Sequence, residues 1–177
     1  AREYISSLRK YVDEVFLDYV GIMATRLNAM LFIPFLKDMA PSTVSPDFLH
    51  ARREYLNGKI PVLGGTHPGH STDAVSAMFA EFMKAELLIN VTDVDGIFDK
   101  DPKKYSDAKF IRKMSFDELL EISKGFDIVA GSNWILDPLC AKIIARSQMK
   151  TMIINGKCAK NLKKAIKGER VGTTIGL

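Results

Sequence analysis

Two short stretches of this 177-residue chain concentrate side chains suited to handling phosphate. The first is Gly64-Gly65-Thr66-His67-Pro68-Gly69-His70-Ser71-Thr72-Asp73. Its glycines let backbone N–H groups approach a ligand closely, and its hydroxyls and carboxylate fall where a helix should begin. A helix start offers unpaired N–H donors and a partial positive charge, which together favour an anion. The loop reads equally as a glycine-rich turn capped by Ser71 or Thr72. It carries neither the Gly-x4-Gly-Lys-Ser/Thr phosphate loop nor the GxGxxG dinucleotide signature. His67 and His70 lack the third and fourth partners a metal would need, so their expected role is hydrogen bonding to phosphate or loop backbone.

The second stretch is Val91-Thr92-Asp93-Val94-Asp95-Gly96-Ile97-Phe98-Asp99-Lys100-Asp101-Pro102, with four aspartates within nine residues. Such a cluster suits a magnesium nucleotide or its sugar hydroxyls, and it suits an acidic surface turn as well. The EF-hand spacing and its closing glutamate are missing, which argues against calcium.

The elements that must position these stretches follow from periodicity. Residues 2–33 read as helical, with apolar residues at three- and four-residue steps through Val12, Phe16, Tyr19, Met23, Leu27 and Met30. Gly21 is a candidate break, and Pro34 disturbs the end. Ser45-Pro46 offers an N-cap and first-turn proline for a helix ending near Asn57-Gly58. A short apolar strand is expected over 59–63, running into the histidine loop. A helix then opens at Asp73, and a buried strand is expected over 86–92. Ser115 and Glu118 form a capping-box pattern. Helices over 137–146 and 160–167 and strands over 151–154 and 172–175 complete the alternation. Strands alternating with helices imply an α/β protein, a three-layer α/β/α sandwich around a largely parallel sheet. In such sheets ligands gather beyond the carboxyl ends of the strands, where both polar stretches fall.

Composition narrows the function classes. The 47% hydrophobic and 26% charged content is that of a globular domain. Apolar runs fall short of the roughly 20 residues of a bilayer span. No signal-peptide pattern opens the chain, so a cytoplasmic location is expected. Two cysteines, Cys140 and Cys158, build neither a zinc site nor a disulfide framework. The net charge of +4 suits an anionic ligand. The lysines over 157–167 have no interleaved aromatics, so a solvated helix face is expected there and nucleic-acid binding is not.

The motifs resemble a known family. Gly-Gly-Thr-His-Pro-Gly-His-Ser-Thr-Asp-Ala at 64–74 and Val-Thr-Asp-Val-Asp-Gly-Ile-Phe at 91–98, followed by Asp-Pro-Lys-Lys, are similar to archaeal-type UMP kinases of the amino-acid-kinase superfamily. So are Leu-Asp-Pro-Leu-Cys-Ala-Lys-Ile-Ile-Ala-Arg-Ser at 136–147 and the closing Ile-Lys-Gly-Glu-Arg-Val-Gly-Thr-Thr-Ile. The resemblance covers essentially the whole chain, and the Thr-His-Pro-Gly-His loop is specific to this subgroup. It implies the amino-acid-kinase fold as one domain over 1–177, with about 1–72 the UMP-binding and oligomerising half and about 73–177 the ATP-binding half.

It also implies transfer of the γ-phosphoryl group of ATP to UMP, giving UDP, with Mg2+ accompanying ATP and no metal held by protein ligands alone. Thr66, His67, Pro68, Gly69, His70, Ser71 and Thr72 would wrap the UMP phosphate, and Asp18 resembles the aspartate that contacts the uridine portion. Arg2, Thr92, Asp93, Phe98 and Asp101 match ATP-binding positions. At Phe98 the family commonly has tyrosine, so a ring is kept and a phenol hydrogen bond lost. Asp73 and Asp137 match positions that orient basic groups, magnesium or nucleotide; each also reads as a helix N-terminal carboxylate. Lys142 and Arg146 look like a solvated or interface face. A homo-oligomer, a hexamer, is implied, assembled through the N-terminal helices, with no nucleic acid or membrane as partner.

Family members begin with a strand and a glycine-rich turn, then a second strand ending in Gly-Gly-Gly. Neither precedes Ala1, so the fold is expected to be N-terminally incomplete in this chain, and the chain alone to have little kinase activity. The alternatives are another amino-acid-kinase-fold enzyme, such as a carbamate, acetylglutamate or aspartate kinase, or a non-catalytic nucleotide-binding protein of that fold. The histidine loop argues against the other kinases.

Overall fold

The computed structural model describes residues 2–100, 104–124 and 136–176, with the side chain of Arg2 outside that description. The chain forms two compact units, Ala1–Val75 and Ser76–Leu177.

The first unit is helical. Helices α1 (Arg2–Leu8) and α2 (Glu14–Met30) divide the N-terminal stretch at Asp13 rather than at Gly21. Asp13 adopts extended backbone and its carboxylate accepts the Phe16 N–H, which makes it an N-cap. Gly21 lies inside α2, where a Cβ would make only an ordinary contact with the Ile5 side chain at 3.6 Å. Pro34 sits in the first turn of a short helix α3 (Ile33–Leu36), where its missing N–H leaves no bond unmade.

Helix α4 (Phe48–Leu56) is capped by Asp47, not by Ser45 as the sequence suggested. Asp47 accepts the His50 N–H at 2.8 Å, and that bond holds its carboxyl below the usual carboxylate range. Ser45 is buried and spends its hydroxyl on Glu54. The predicted strand over 59–63 is absent: the segment belongs to no ladder among the described residues. Single bonds from Ile60 N–H to the Met39 carbonyl and from Ser45 N–H to the Val62 carbonyl hold it instead, and Pro61 has no N–H to give a ladder.

One stretch, Glu14–Met39, is long and apolar enough by length and composition to cross a membrane, which the count of apolar runs missed. Its structure argues for a helix of the fold. Asp18 and Arg26 bond to the histidine loop from within it, and Lys37 turns the chain at φ 50°.

The second unit is α/β. Helix α5 (Thr72–Phe82) spans the division between units, followed by strand β1 (Leu88–Thr92), strand β2 (Lys113–Met114) and helices α6 (Phe116–Lys124) and α7 (Pro138–Ser147). Strand β3 (Thr151–Asn155), helix α8 (Ala159–Ile166) and strand β4 (Thr173–Ile175) close the chain. The sheet order is β1-β3-β4-β2; β1 with β3 and β2 with β4 are parallel, while β3 and β4 are antiparallel. The sheet is thus mixed, with two of its three pairings parallel.

Met152 and Ile154 on one face of β3 pack against Ala165 of α8. Thr151 and Ile153, pointing the other way, are wholly buried too, so both faces of the central strand are covered. Strand β1 lies at the sheet edge and is half-buried rather than buried, with Val91 52% exposed. The capping box at α6 forms as its sequence predicts: Ser115 Oγ accepts the Glu118 N–H, and Glu118 Oε2 accepts the Ser115 N–H at 2.7 Å. Those bonds from Ser115 lower the Glu118 pKa.

Candidate functional site

In the first unit the histidine loop is braced from α2. Two turns of this helix present Asp18, Thr25 and Arg26 to it. Asp18 Oδ2 accepts the Gly69 N–H at 2.7 Å across 51 residues of chain. Thr25 Oγ1 accepts the Gly65 N–H at 2.8 Å, while Arg26 Nε donates to the Gly65 carbonyl at 3.0 Å and its Nη2 to the Pro46 carbonyl at 2.9 Å. Gly64 exists for close approach: a Cβ there would lie 2.7 Å from the Arg26 backbone nitrogen.

The loop ends where α5 begins. Ser71 Oγ accepts the Ala74 N–H at 3.0 Å, so of the two predicted caps the structure uses Ser71. Asp73 is half-buried in the first turn of α5, where a carboxylate offsets the helix dipole. His67, His70 and Thr72 are exposed, and Pro68 is half-buried. Two of the loop's glycine N–H groups are therefore committed to the fold rather than to a ligand. Thr66 Oγ1 stands out. It is buried and meets no hydrogen-bond partner among the described residues. An unpaired buried hydroxyl costs about 1–3 kcal/mol, a penalty that a ligand oxygen would relieve.

In the second unit, Thr92 and Asp93 end β1 as predicted, and the Gly156 N–H bonds to the Thr92 carbonyl at 2.8 Å. The aspartates that follow are not all available for chemistry. Asp95 accepts from Asn155 Nδ2 at 2.8 Å, and Asp99 accepts the Lys109 N–H at 2.8 Å. Asp93 is exposed at the strand end. Phe98 packs its ring against Phe110, centroids 5.3 Å apart and tilted by 57°. Asp137 caps α7, accepting the Leu139 and Cys140 N–H groups at 2.9 and 3.1 Å with Pro138 in the first turn. Arg146 pairs with Glu81 at 2.6 Å. Asp101 and the side chain of Arg2 lie outside the described residues.

Sequence reasoning missed Thr25, Arg26, Asn155 and Thr173. Thr173 Oγ1 accepts the Ile97 N–H at 2.8 Å and donates to the Ile111 carbonyl at 2.5 Å, stitching the acidic turn to β4. No local pattern marks these residues, because their partners lie 20 to 76 positions away. Among the described residues no group of three or more His, Cys, Asp or Glu side chains converges.

A glycine-rich loop braced at a helix start, and a polar turn at a parallel strand end, are parts a phosphate-transferring α/β protein needs. The chain belongs to the amino acid kinase family, which it matches over residues 2–155. Within it the chain is similar to the uridylate kinase of Pyrococcus abyssi, 48% identical over 176 residues that make up 99% of this chain and 78% of that protein. The uridylate kinase of Methanocaldococcus jannaschii is 47% identical over 99% of this chain and 77% of that one. The crystal structure of uridylate kinase from Archaeoglobus fulgidus superposes with a TM-score of 0.88 at 45% identity, covering 98% of this chain and 78% of that one. A UMP kinase structure from Bacillus anthracis shares the fold at a TM-score of 0.79 and 21% identity, covering 96% of this chain and 73% of that one.

Proposed function

We propose that this protein is a nucleoside monophosphate kinase that moves the γ-phosphoryl group of ATP to UMP, yielding UDP for pyrimidine nucleotide synthesis. The observation that carries this reading is the histidine loop itself, braced by Asp18 and enclosing an orphaned Thr66 hydroxyl, in a chain similar to uridylate kinases along 99% of its length. Residues 66–72 hold the UMP phosphate, with Thr66 Oγ1 bonded to one of its oxygens, and Asp18 lies toward the uridine portion. Thr92, Asp93, Phe98, Asp101 and Arg2 take ATP.

Phosphoryl transfer asks a protein mainly to position groups and to neutralise charge. Asp73 and Asp137 serve that end as orienting carboxylates at helix starts, not as strong bases. Magnesium enters bound to the ATP phosphates as part of that substrate, since Mg2+ keeps its waters and seldom needs an all-protein cage. The protein acts in the cytoplasm as a homo-oligomer, a hexamer. The exposed apolar row Phe16, Tyr19, Met23 and Leu27 on α2 supports self-association.

A coupled assay with ATP and a panel of UMP, CMP, carbamate and acetylglutamate is expected to give UDP from UMP. Activity on CMP should be at least about 100-fold weaker, because a site that bonds one base edge leaves groups unpaired with the other. Nucleotide binding without turnover on any acceptor, in a chain that carries the two N-terminal glycine-rich strand ends, would overturn the kinase reading.

Asp137 allows capping and chemistry to be separated. Asp137→Ala should destabilise the protein by about 1 kcal/mol through the lost cap, lowering Tm by about 2–4 °C. Asp137→Asn should keep the cap and the Tm while reducing kcat about tenfold or more. An unchanged kcat in the asparagine variant would leave Asp137 a cap and nothing else.

A further inference from the structure

Helix α2 grips Gly65 at both of its backbone polar groups. Thr25 Oγ1 accepts the Gly65 N–H at 2.8 Å, and Arg26 Nε donates to the Gly65 carbonyl at 3.0 Å. Gly65 is buried there, with both groups turned to the helix. The bond from Gly65 to Thr66 is trans, and in a trans peptide the carbonyl and the following N–H point in opposite directions. With the Gly65 carbonyl on α2, the Thr66 N–H points away from the helix. It makes no hydrogen bond among the described residues, and neither does the buried Thr66 hydroxyl. One residue thus carries two unspent donors, an N–H and an O–H a few atoms apart, which suit a phosphate oxygen.

The local chain does little to hold that peptide plane. Flipping it turns only ψ of residue 65 and φ of residue 66, and a glycine accepts the change readily. A flipped peptide would present a carbonyl where the N–H stood, and a carbonyl repels phosphate. The Arg26 bond opposes the flip, and Arg26 is itself held at both ends. Its stem lies close under Gly64, where an added Cβ would come within 2.9 Å of the Arg26 Cγ. Its Nη2 donates to the Pro46 carbonyl at 2.9 Å. Two of its donors are therefore spent on backbone carbonyls, so the guanidinium acts on the loop.

We propose that Arg26 is a positioning residue: by holding the Gly65 carbonyl against α2, it aims the Thr66 N–H, together with the Thr66 hydroxyl, at the phosphate of UMP. This role rests on the reading that the histidine loop takes that phosphate. It requires no transfer of a phosphoryl group, so it can be tested by binding alone.

The test is a titration of the whole protein, labelled with 15N at threonine, using UMP as the probe. The Thr66 amide signal, assigned with Thr66→Ser, should move downfield saturably with UMP and stay still with uridine. Two variants separate the Gly65 bond from the charge. Glutamine places its Nε2 the same number of bonds from Cα as the arginine Nε, whereas methionine places a methyl there. Arg26→Gln should keep the Thr66 shift. Arg26→Met should lose it and bind UMP at least about tenfold more weakly, the loss expected of one hydrogen bond to a charged group. A Thr66 signal that UMP leaves unmoved in the parent, or that moves as far in Arg26→Met, would overturn the proposal. So would an Arg26→Gln protein as impaired as Arg26→Met, since the effect would then come from the charge or the Pro46 bond. A parent that shows the shift but makes no UDP supports the positioning role and removes the transfer reading alone. Circular dichroism establishes that Arg26→Met is folded. If it is not, Arg26→Lys repeats the test, keeping the charge with a methylene where Nε stood.

Discussion

Asp18→Ala is expected to lower kcat/KM for UMP by about 100-fold or more, while the KM for ATP stays close to the parental value. The carboxylate accepts the Gly69 N–H at 2.7 Å, joining α2 to the middle of the histidine loop. A hydrogen bond to a charged acceptor is worth about 1.5–3 kcal/mol, which is roughly 10- to 150-fold in a rate constant. Any contact from Asp18 to the uridine portion of UMP adds to that loss. Asp18 is exposed, so its removal leaves no buried donor stranded, and the fold should tolerate it. An asparagine side chain would keep one oxygen to accept the Gly69 N–H, so Asp18→Asn should fall less, by about tenfold. Steady-state kinetics with each substrate varied in turn measure this split. An Asp18→Ala enzyme with parental kcat/KM for UMP would remove Asp18 from the site.

Gly172→Ala should be the most destabilising single substitution proposed for this chain. A Cβ on Gly172 would lie 1.9 Å from the Ile153 carbonyl oxygen and 2.9 Å from its carbon, and φ there is +67°. Both neighbours are backbone of β3, the strand that pairs with β1 and β4, so neither can rotate aside. The left-handed backbone costs about 1–2 kcal/mol for a residue with a Cβ. Forced overpacking adds about 1–3 kcal/mol. Together they predict a fall in Tm of about 4–20 °C at the usual scaling for a chain of this size. Gly168→Ala is the control, with φ +75° but nothing within 4 Å of the added carbon. It should show the backbone part of the loss alone. Thermal melts of the two variants should therefore differ by the steric part, and equal melts would refute the clash.

Much of the fold was legible because its signals are local. The Ser115–Glu118 capping box, the Asp137 cap before Pro138, the Asn57-Gly58 helix end and the Ser71 cap all act within about four residues, a range that periodicity and residue type report directly. Where two local signals competed, packing chose between them. Ser45 and Asp47 could each cap α4, and burial of the Ser45 hydroxyl against Glu54 left Asp47 to do it. Gly21 read as a break, yet it lies inside α2, because one glycine costs a helix only about 1 kcal/mol and the flanking turns outweigh it. The 59–63 segment has the apolar run of a strand, but a strand exists only with a partner, and sequence pattern does not supply one.

The histidine loop shows the same division at the site itself. By itself the sequence determined the loop's chemistry: glycines, hydroxyls and two histidines at a helix start, in a pattern similar to one family of kinases. Only the tertiary structure decided which of those groups are spent on the fold. It assigned the Gly65 and Gly69 N–H groups to Thr25 and Asp18, and left the Thr66 hydroxyl unpartnered. It likewise turned β4 antiparallel to β3. The physical reason is separation along the chain. A cap or turn closes over a few residues and is written in their types. A bond spanning 40 or 51 residues forms only after the chain has folded back, where geometry, not composition, selects the partner.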